Sequence, residues 1–139
     1  DIGYLTNSKP IIGTFSNSNH KNTPLKVKIM VKERDIGIKL FENNIPIRGN
    51  KQNPIEYKMT IKHNNNDIDF IFKGFNEYDV IIIGDIISSS HQTTLINLLK
   101  AGGLYNFHLE TIENKKTYDF EINNSQENNF LEKYNFLYK

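Results

Sequence analysis

The stretch Leu25-Lys26-Val27-Lys28-Ile29-Met30-Val31-Lys32 decides how this chain is read. Leu25, Val27, Ile29 and Val31 fall on one side of an extended backbone, and Lys26, Lys28, Met30 and Lys32 on the other. Strand side chains alternate between faces, so a period of two predicts a half-buried strand. After the polar turn Glu33-Arg34-Asp35, Ile36, Ile38 and Leu40 repeat the pattern.

Working outward, Asn43-Asn44 breaks the chain, and Pro46, Gly49 and Pro54 mark a long connection. Tyr57, Met59 and Ile61 then alternate with Lys58, Thr60 and Lys62. Beyond Asn64-Asn65-Asn66, Ile68, Phe70 and Phe72 alternate with Asp67, Asp69 and Lys73. A short Asn-rich link between alternating runs predicts a hairpin. A one-residue slip would expose Phe70 and Phe72, which pins its register. Val80 to Ile83 is apolar on both faces, as in a central strand or one beneath a helix. Gly84-Asp85 interrupts this run before Ile86-Ile87, which predicts a bulge or bend. Tyr105, Phe107 and Leu109 alternate in one further strand, and Tyr118, Phe120 and Ile122 in another. Glu113-Asn114-Lys115-Lys116 is the turn between them.

Two helices are expected, at about 88–101 and 125–137. Ser88-Ser89-Ser90 offers a cap to the first, Leu95, Leu98, Leu99 and Ile96 a stripe, and Gly102-Gly103 a stop. Ser125 caps the second, Glu127 suits its positive end, and Phe130, Leu131, Tyr134 and Leu137 form its stripe. Strands do not alternate regularly with helices, which argues against a doubly wound parallel sheet. The expected fold is mainly β: an antiparallel β-sandwich or strongly curved sheet with two short helices. Residues 1–139 read as a single domain, with 16–24 as a flexible polar loop.

Composition agrees. Leu, Ile, Val and Phe make up about 30% of the 139 residues, above the ~20% below which disorder is expected. Net charge is +1, which excludes a strongly basic nucleic-acid binder and an acidic tail protein. The longest uncharged apolar run falls far short of the ~20 residues of a membrane helix. Asn and Ile each occur 20 times and Ala once, a bias that AT-rich codons produce. The chain has no Cys, so thiol nucleophiles, zinc-thiolate sites and disulfides are excluded from it. It starts at Asp1, as a cleaved signal peptide or a trimmed chain would leave it.

Candidate chemistry is sparse. His20, His63, His91 and His108 show no metal-ligand spacing, and His63 and His108 are placed on outward strand faces. Ser88, Ser89, Ser90 and His91 lack a nucleophile elbow and read as a helix cap. Asp67 and Asp69 share a strand face about 7 Å apart, a spacing open to a glycosidase pair or a weak calcium site. Lys58 and Lys62 as cross-strand partners make a solvated charged face the better reading. Asp79 is a further acid. Asp85, following Gly84 in an apolar run, needs a partner or an exposing bend. Lys26, Lys28, Lys32, Lys39, Lys58 and Lys62 can line one sheet face but lack the stacking aromatics of a single-strand binder. Gly102-Gly103 follows a helix, so it is no phosphate loop. The sequon Asn123-Asn124-Ser125 carries no weight in so Asn-rich a chain. No catalytic, cofactor-binding or metal-binding residue is assigned.

The segment from Leu98-Leu99-Lys100-Ala101-Gly102-Gly103 through Tyr118, Phe120 and Ile122 to the amphipathic tail resembles the closing part of invasion-associated, periplasmic β-sandwich families. The resemblance covers about a third of the chain and implies an exported bacterial protein, periplasmic, surface-bound or secreted, without bringing an active site. The expected function is therefore that of a protein-binding accessory or structural subunit of an envelope assembly, accepting a partner strand at a sheet edge. Two alternatives are a hydrolase using Asp67, Asp69 or Asp85, and a phage- or capsid-like subunit whose arm, Ile11–Phe15 with the polar Ser16–Pro24 stretch, pairs with a neighbour.

Overall fold

The structure is a computed structural model and describes residues 5–6, 11–15, 23–32, 35–64, 69–76, 78–83, 94–95, 97–99 and 101–123. The strands are β1 (Leu5–Thr6), β2 (Ile11–Phe15), β3 (Thr23–Lys32), β4 (Asp35–Glu42), β5 (Ile45–Pro46), β6 (Ile55–His63), β7 (Asp69–Asn76), β8 (Ile81–Ile83), β9 (Leu104–Thr111) and β10 (Thr117–Asn123).

The alternating stretch that opens the argument is β3. Leu25, Val27 and Ile29 are buried, while Lys26 and Lys28 face water. β3 pairs with β4 from Leu25↔Glu42 to Lys32↔Asp35. Asn43 and Asn44, both at positive φ, then turn the chain into β5 through Glu42↔Ile45. Two central residues at positive φ are what a tight hairpin requires, and Asn tolerates that conformation well. The β6–β7 hairpin runs from Ile55↔Asn76 to Lys62↔Asp69, and Phe72 is buried as the alternation demands.

Every pairing is antiparallel, and the pairings form a ring. In order it runs β3, β4, β8, β7, β6, β9, β10, β2 and back to β3. The expected mainly antiparallel, strongly curved sheet is thus closed into an eight-stranded barrel, which takes the place of the sandwich alternative. Alternation specifies an inner and an outer face in either architecture, so it does not separate the two. Closure depends on β2, which fits between β10 and β3. Gly13 permits that fit, because a Cβ there would collide with the Asp119 carbonyl oxygen and with Phe120 Cβ. Ile11–Phe15, the part of the capsid-like reading's arm that forms β2, is therefore paired within its own chain. The expected loop over 16–24 is also shorter at its end, since Thr23 and Pro24 begin β3; residues 16–22 lie outside the described residues.

An eight-stranded barrel leaves an interior just wide enough for side chains. Here Tyr57, Tyr105, Tyr118, Phe107, Phe120 and the aliphatic residues of β3 and β4 fill it. Phe107 and Phe120 stack at 4.7 Å and 13°. One end is closed by the residues expected as the first helix. Among them 94–95 and 97–99 are helical, and 88–93 lie outside the described residues. Leu95 and Leu99 enter the core, with Leu98 packed against it. The Tyr105 hydroxyl donates to the Leu98 carbonyl (2.8 Å) and lies 3.2 Å from that of Leu99, and the same two carbonyls accept the Ala101 and Gly102 N–H groups (3.2 Å each) where the segment ends. Residue 99 is the last described helical residue, 96 and 100 lie outside the described residues, Ala101 is in a turn, and Gly102 and Gly103 at φ 76° and 112° lead the chain into β9. The expected helix over 125–137, and the bend at Gly84-Asp85, lie outside the described residues. No described helix is long and apolar enough to cross a membrane.

Candidate functional site

The opposite end of the barrel is built differently. Four register pairs define its rim: Phe15↔Tyr118, Leu25↔Glu42, Ile55↔Asn76 and Tyr57↔Thr111. Two segments overhang it. Residues 47–54 are tied down where Ile47 N–H donates to the Leu40 carbonyl (2.9 Å) and Gly49 N–H to the Tyr78 carbonyl (3.0 Å). The β9–β10 turn is held where Ile112 N–H donates to the Glu56 carbonyl (2.9 Å) and Lys116 N–H to Thr111 Oγ1 (2.9 Å). Between them lies an open cleft of about 200 Å³, walled by Ile47, Ile55, Tyr57, Thr111 and Tyr118, with Glu56, Glu113 and Lys116 also lining it. Ligand pockets for drug-sized molecules run to about 300–1,000 Å³, so this one suits a side-chain-sized group.

Three aromatic rings stand at its base. Tyr118 stacks on Phe15 at 6.3 Å, and Tyr57 meets Tyr118 at 6.4 Å and 57°. The Tyr118 hydroxyl donates to Glu42 Oε2 at 2.9 Å. Tyr57 is 1% exposed, yet its hydroxyl has no hydrogen-bond partner. Asn76, two residues past the position opposite Tyr57, is likewise buried. Its Nδ2 donates to the Tyr78 carbonyl (2.6 Å) and more weakly to that of Ile47 (3.4 Å), but its Oδ1 has no partner. An unmet buried hydrogen bond costs about 1–3 kcal/mol, so two at one mouth are a local departure from well-satisfied packing. Burial, and secondarily the Glu42 carboxylate, push both phenols above their ordinary range. Both are neutral at physiological pH, so neither phenol serves there as a base.

The described residues among those singled out from sequence lie elsewhere. His63 is the clearest correction. It continues the inward series Tyr57, Met59, Ile61, is half-buried, and stacks on Tyr105 at 4.6 Å and 5°. Its Nε2–H donates to the Gly102 carbonyl at 2.7 Å, so it fastens the closed end of the barrel. That bond uses the only proton on Nε2, which leaves the 3.2 Å approach of Asn64 Nδ2 a contact without a second bond. Asn64 instead binds Leu104, donating its backbone N–H to the carbonyl (2.7 Å) and accepting the Leu104 N–H at Oδ1 (2.9 Å). His108 does face outward, where it pairs across the strands with Asp119 at 2.6 Å.

The two histidines are thus on opposite faces of the barrel wall. Asp79 pairs with Lys39 at 3.3 Å. Asp69 is opposite Lys62 in register, and Lys58 is opposite Lys73 and Glu110. Lys26 and Lys28 are on the outer wall, Lys28 opposite Lys39. Asp67, Asp85, His20, Ser88, Ser89, Ser90, His91 and Ser125 lie outside the described residues. Among the described residues no three His, Asp or Glu side chains gather as metal ligands would.

Sequence reasoning missed the mouth. Tyr57 and Tyr118 carry the alternation of core positions and read as packing. The available signal is Glu42, which stands in phase with Ile36, Ile38 and Leu40, where an inward apolar residue is due. No protein family, curated protein or solved structure matches the chain.

Proposed function

We propose that this chain is a binding module that holds a protein partner at the open mouth of its barrel, as an accessory or structural subunit of a bacterial envelope assembly. The observation that supports this reading best is the inequality of the two ends. One is filled by Leu95 and Leu99. The other leaves a cleft and presents Ile45, Tyr78 and Ile112 to water at 67%, 60% and 48% exposure. Apolar side chains of that size around a recess are what partner-binding surfaces offer. The lumen is occupied by the chain's own side chains, so a partner engages the rim. Strand addition, the mode expected from sequence, has little to act on once the ring is closed. Docking of side chains at the mouth takes its place. The exported setting, periplasmic or secreted, rests on the sequence resemblance of the closing segment alone.

A photo-crosslinking amino acid placed at Ile112 should give a discrete protein adduct in native cells. The same probe at Glu121, on the outer wall of β10, should give none. Equal adducts from the two positions, or no adduct from Ile112, would contradict the proposal.

A further inference from the structure

We infer that the mouth cleft is a subsite for an organic cation, a guanidinium or alkylammonium group such as a basic side chain carries. This deepens the binding reading above and rests on it for the source of the cation. Three observations converge. First, Tyr57 lines the cleft, is 1% exposed, and has a hydroxyl without a partner. Its phenol oxygen, with under 1 Å² exposed, is an unmet acceptor that an incoming N–H reaches only as the neighbouring side chains part. Second, the charges favour a cation. Glu56 and Glu113 line the cleft against Lys116 alone, and the Glu42 carboxylate stands behind the wall, bonded to Tyr118. An anion would meet this set unfavourably. Third, the rings of Tyr57 and Tyr118, each 1% exposed, lie 6.4 Å apart and inclined at 57° in the cleft wall, with Phe15 stacked on Tyr118. Aromatic walls attract cations through their ring quadrupoles, more strongly where water is displaced. A volume of about 200 Å³ holds one such head group and its first methylenes. Guanidinium fits best, since its planar fork can direct N–H groups to a carboxylate and a phenol oxygen at once.

The test is calorimetric titration of the intact chain with butylguanidinium, its neutral isostere butylurea, and valerate. Butylguanidinium should bind saturably with a Kd of about 1 mM, as its size allows. Butylurea should bind at least about tenfold more weakly, and valerate not measurably. Tyr57→Phe should weaken the cation about tenfold while leaving the melting temperature unchanged or higher, because it removes an unsatisfied hydroxyl. Glu42→Gln keeps an acceptor for Tyr118 and should weaken the cation several-fold. Equal binding of butylurea, no saturable binding of butylguanidinium, or unaltered affinity in both variants would overturn the inference. Adducts from Ile112 that persist in Tyr57→Phe alongside any of those results would show that the cation subsite has failed and partner binding has not.

Discussion

Between pH 10 and 12 the chain should lose its fold in one cooperative step, with the phenolate absorbance of Tyr57, Tyr105 and Tyr118 appearing only in that step. The reason lies in Tyr57, Tyr105 and Tyr118, all 0–1% exposed. Burial lifts Tyr105 from 10 to about 12, and raises Tyr57 and Tyr118 further in the same direction. Below pH 10 folded and unfolded chains both keep these protons, and the tyrosines contribute no pH dependence. Above pH 10 the unfolded chain releases them and the folded chain does not. Stability then falls as pH rises, by about 1.4 kcal/mol per unit for each tyrosine. Three together remove about 4 kcal/mol per pH unit, so two units remove much of the roughly 5–15 kcal/mol that holds a domain folded. Circular dichroism and absorbance near 295 nm, followed on one sample, test this. Seven tyrosines titrating together near pH 10 with the dichroism intact would contradict it.

Leu99→Ala lowers the unfolding free energy by about 2–5 kcal/mol, the range for emptying a fully buried leucine site. Leu99 is 1% exposed and, with Leu95, belongs to the same core as the barrel strands. The barrel wall cannot shrink around the vacancy, because its circumference is set by eight paired strands. The cost should therefore lie toward the upper part of that range, and urea unfolding measures it. A loss below about 1 kcal/mol would mean that the helical segment does not seal this end.

Much of the fold is legible in the sequence because a strand exposed on one side must alternate. Leu25 to Ile29, Tyr57 to Ile61, Tyr105 to Leu109 and Tyr118 to Ile122 all show it, and each is a barrel stave. The closure is not legible in the same way. It turns on Gly13 tolerating the Asp119 carbonyl and on which strands find each other across the chain, neither of which has a periodic signature. His63 was misplaced because phase carries it inward at the last residue of β6, where the capping turn supplies Gly102 as a partner. A histidine among Lys62 and the asparagines looks solvated until that long-range bond is known. The mouth was hidden for the opposite reason: its tyrosines behave as core residues in every local respect. Only the unmet hydroxyl of Tyr57 and the in-phase Glu42 set them apart, and the first of these is a property of three-dimensional packing.

The account stands on the open mouth being where this domain takes hold of a ligand group. Amide shift mapping of the isotopically labelled chain during titration with butylguanidinium tests that most directly. Residues 53–57 and 111–118 should move together with one saturation curve, while 101–105 at the sealed end stay in place. Movement centred on 101–105 or on the His108–Asp119 wall, or none anywhere, would contradict it.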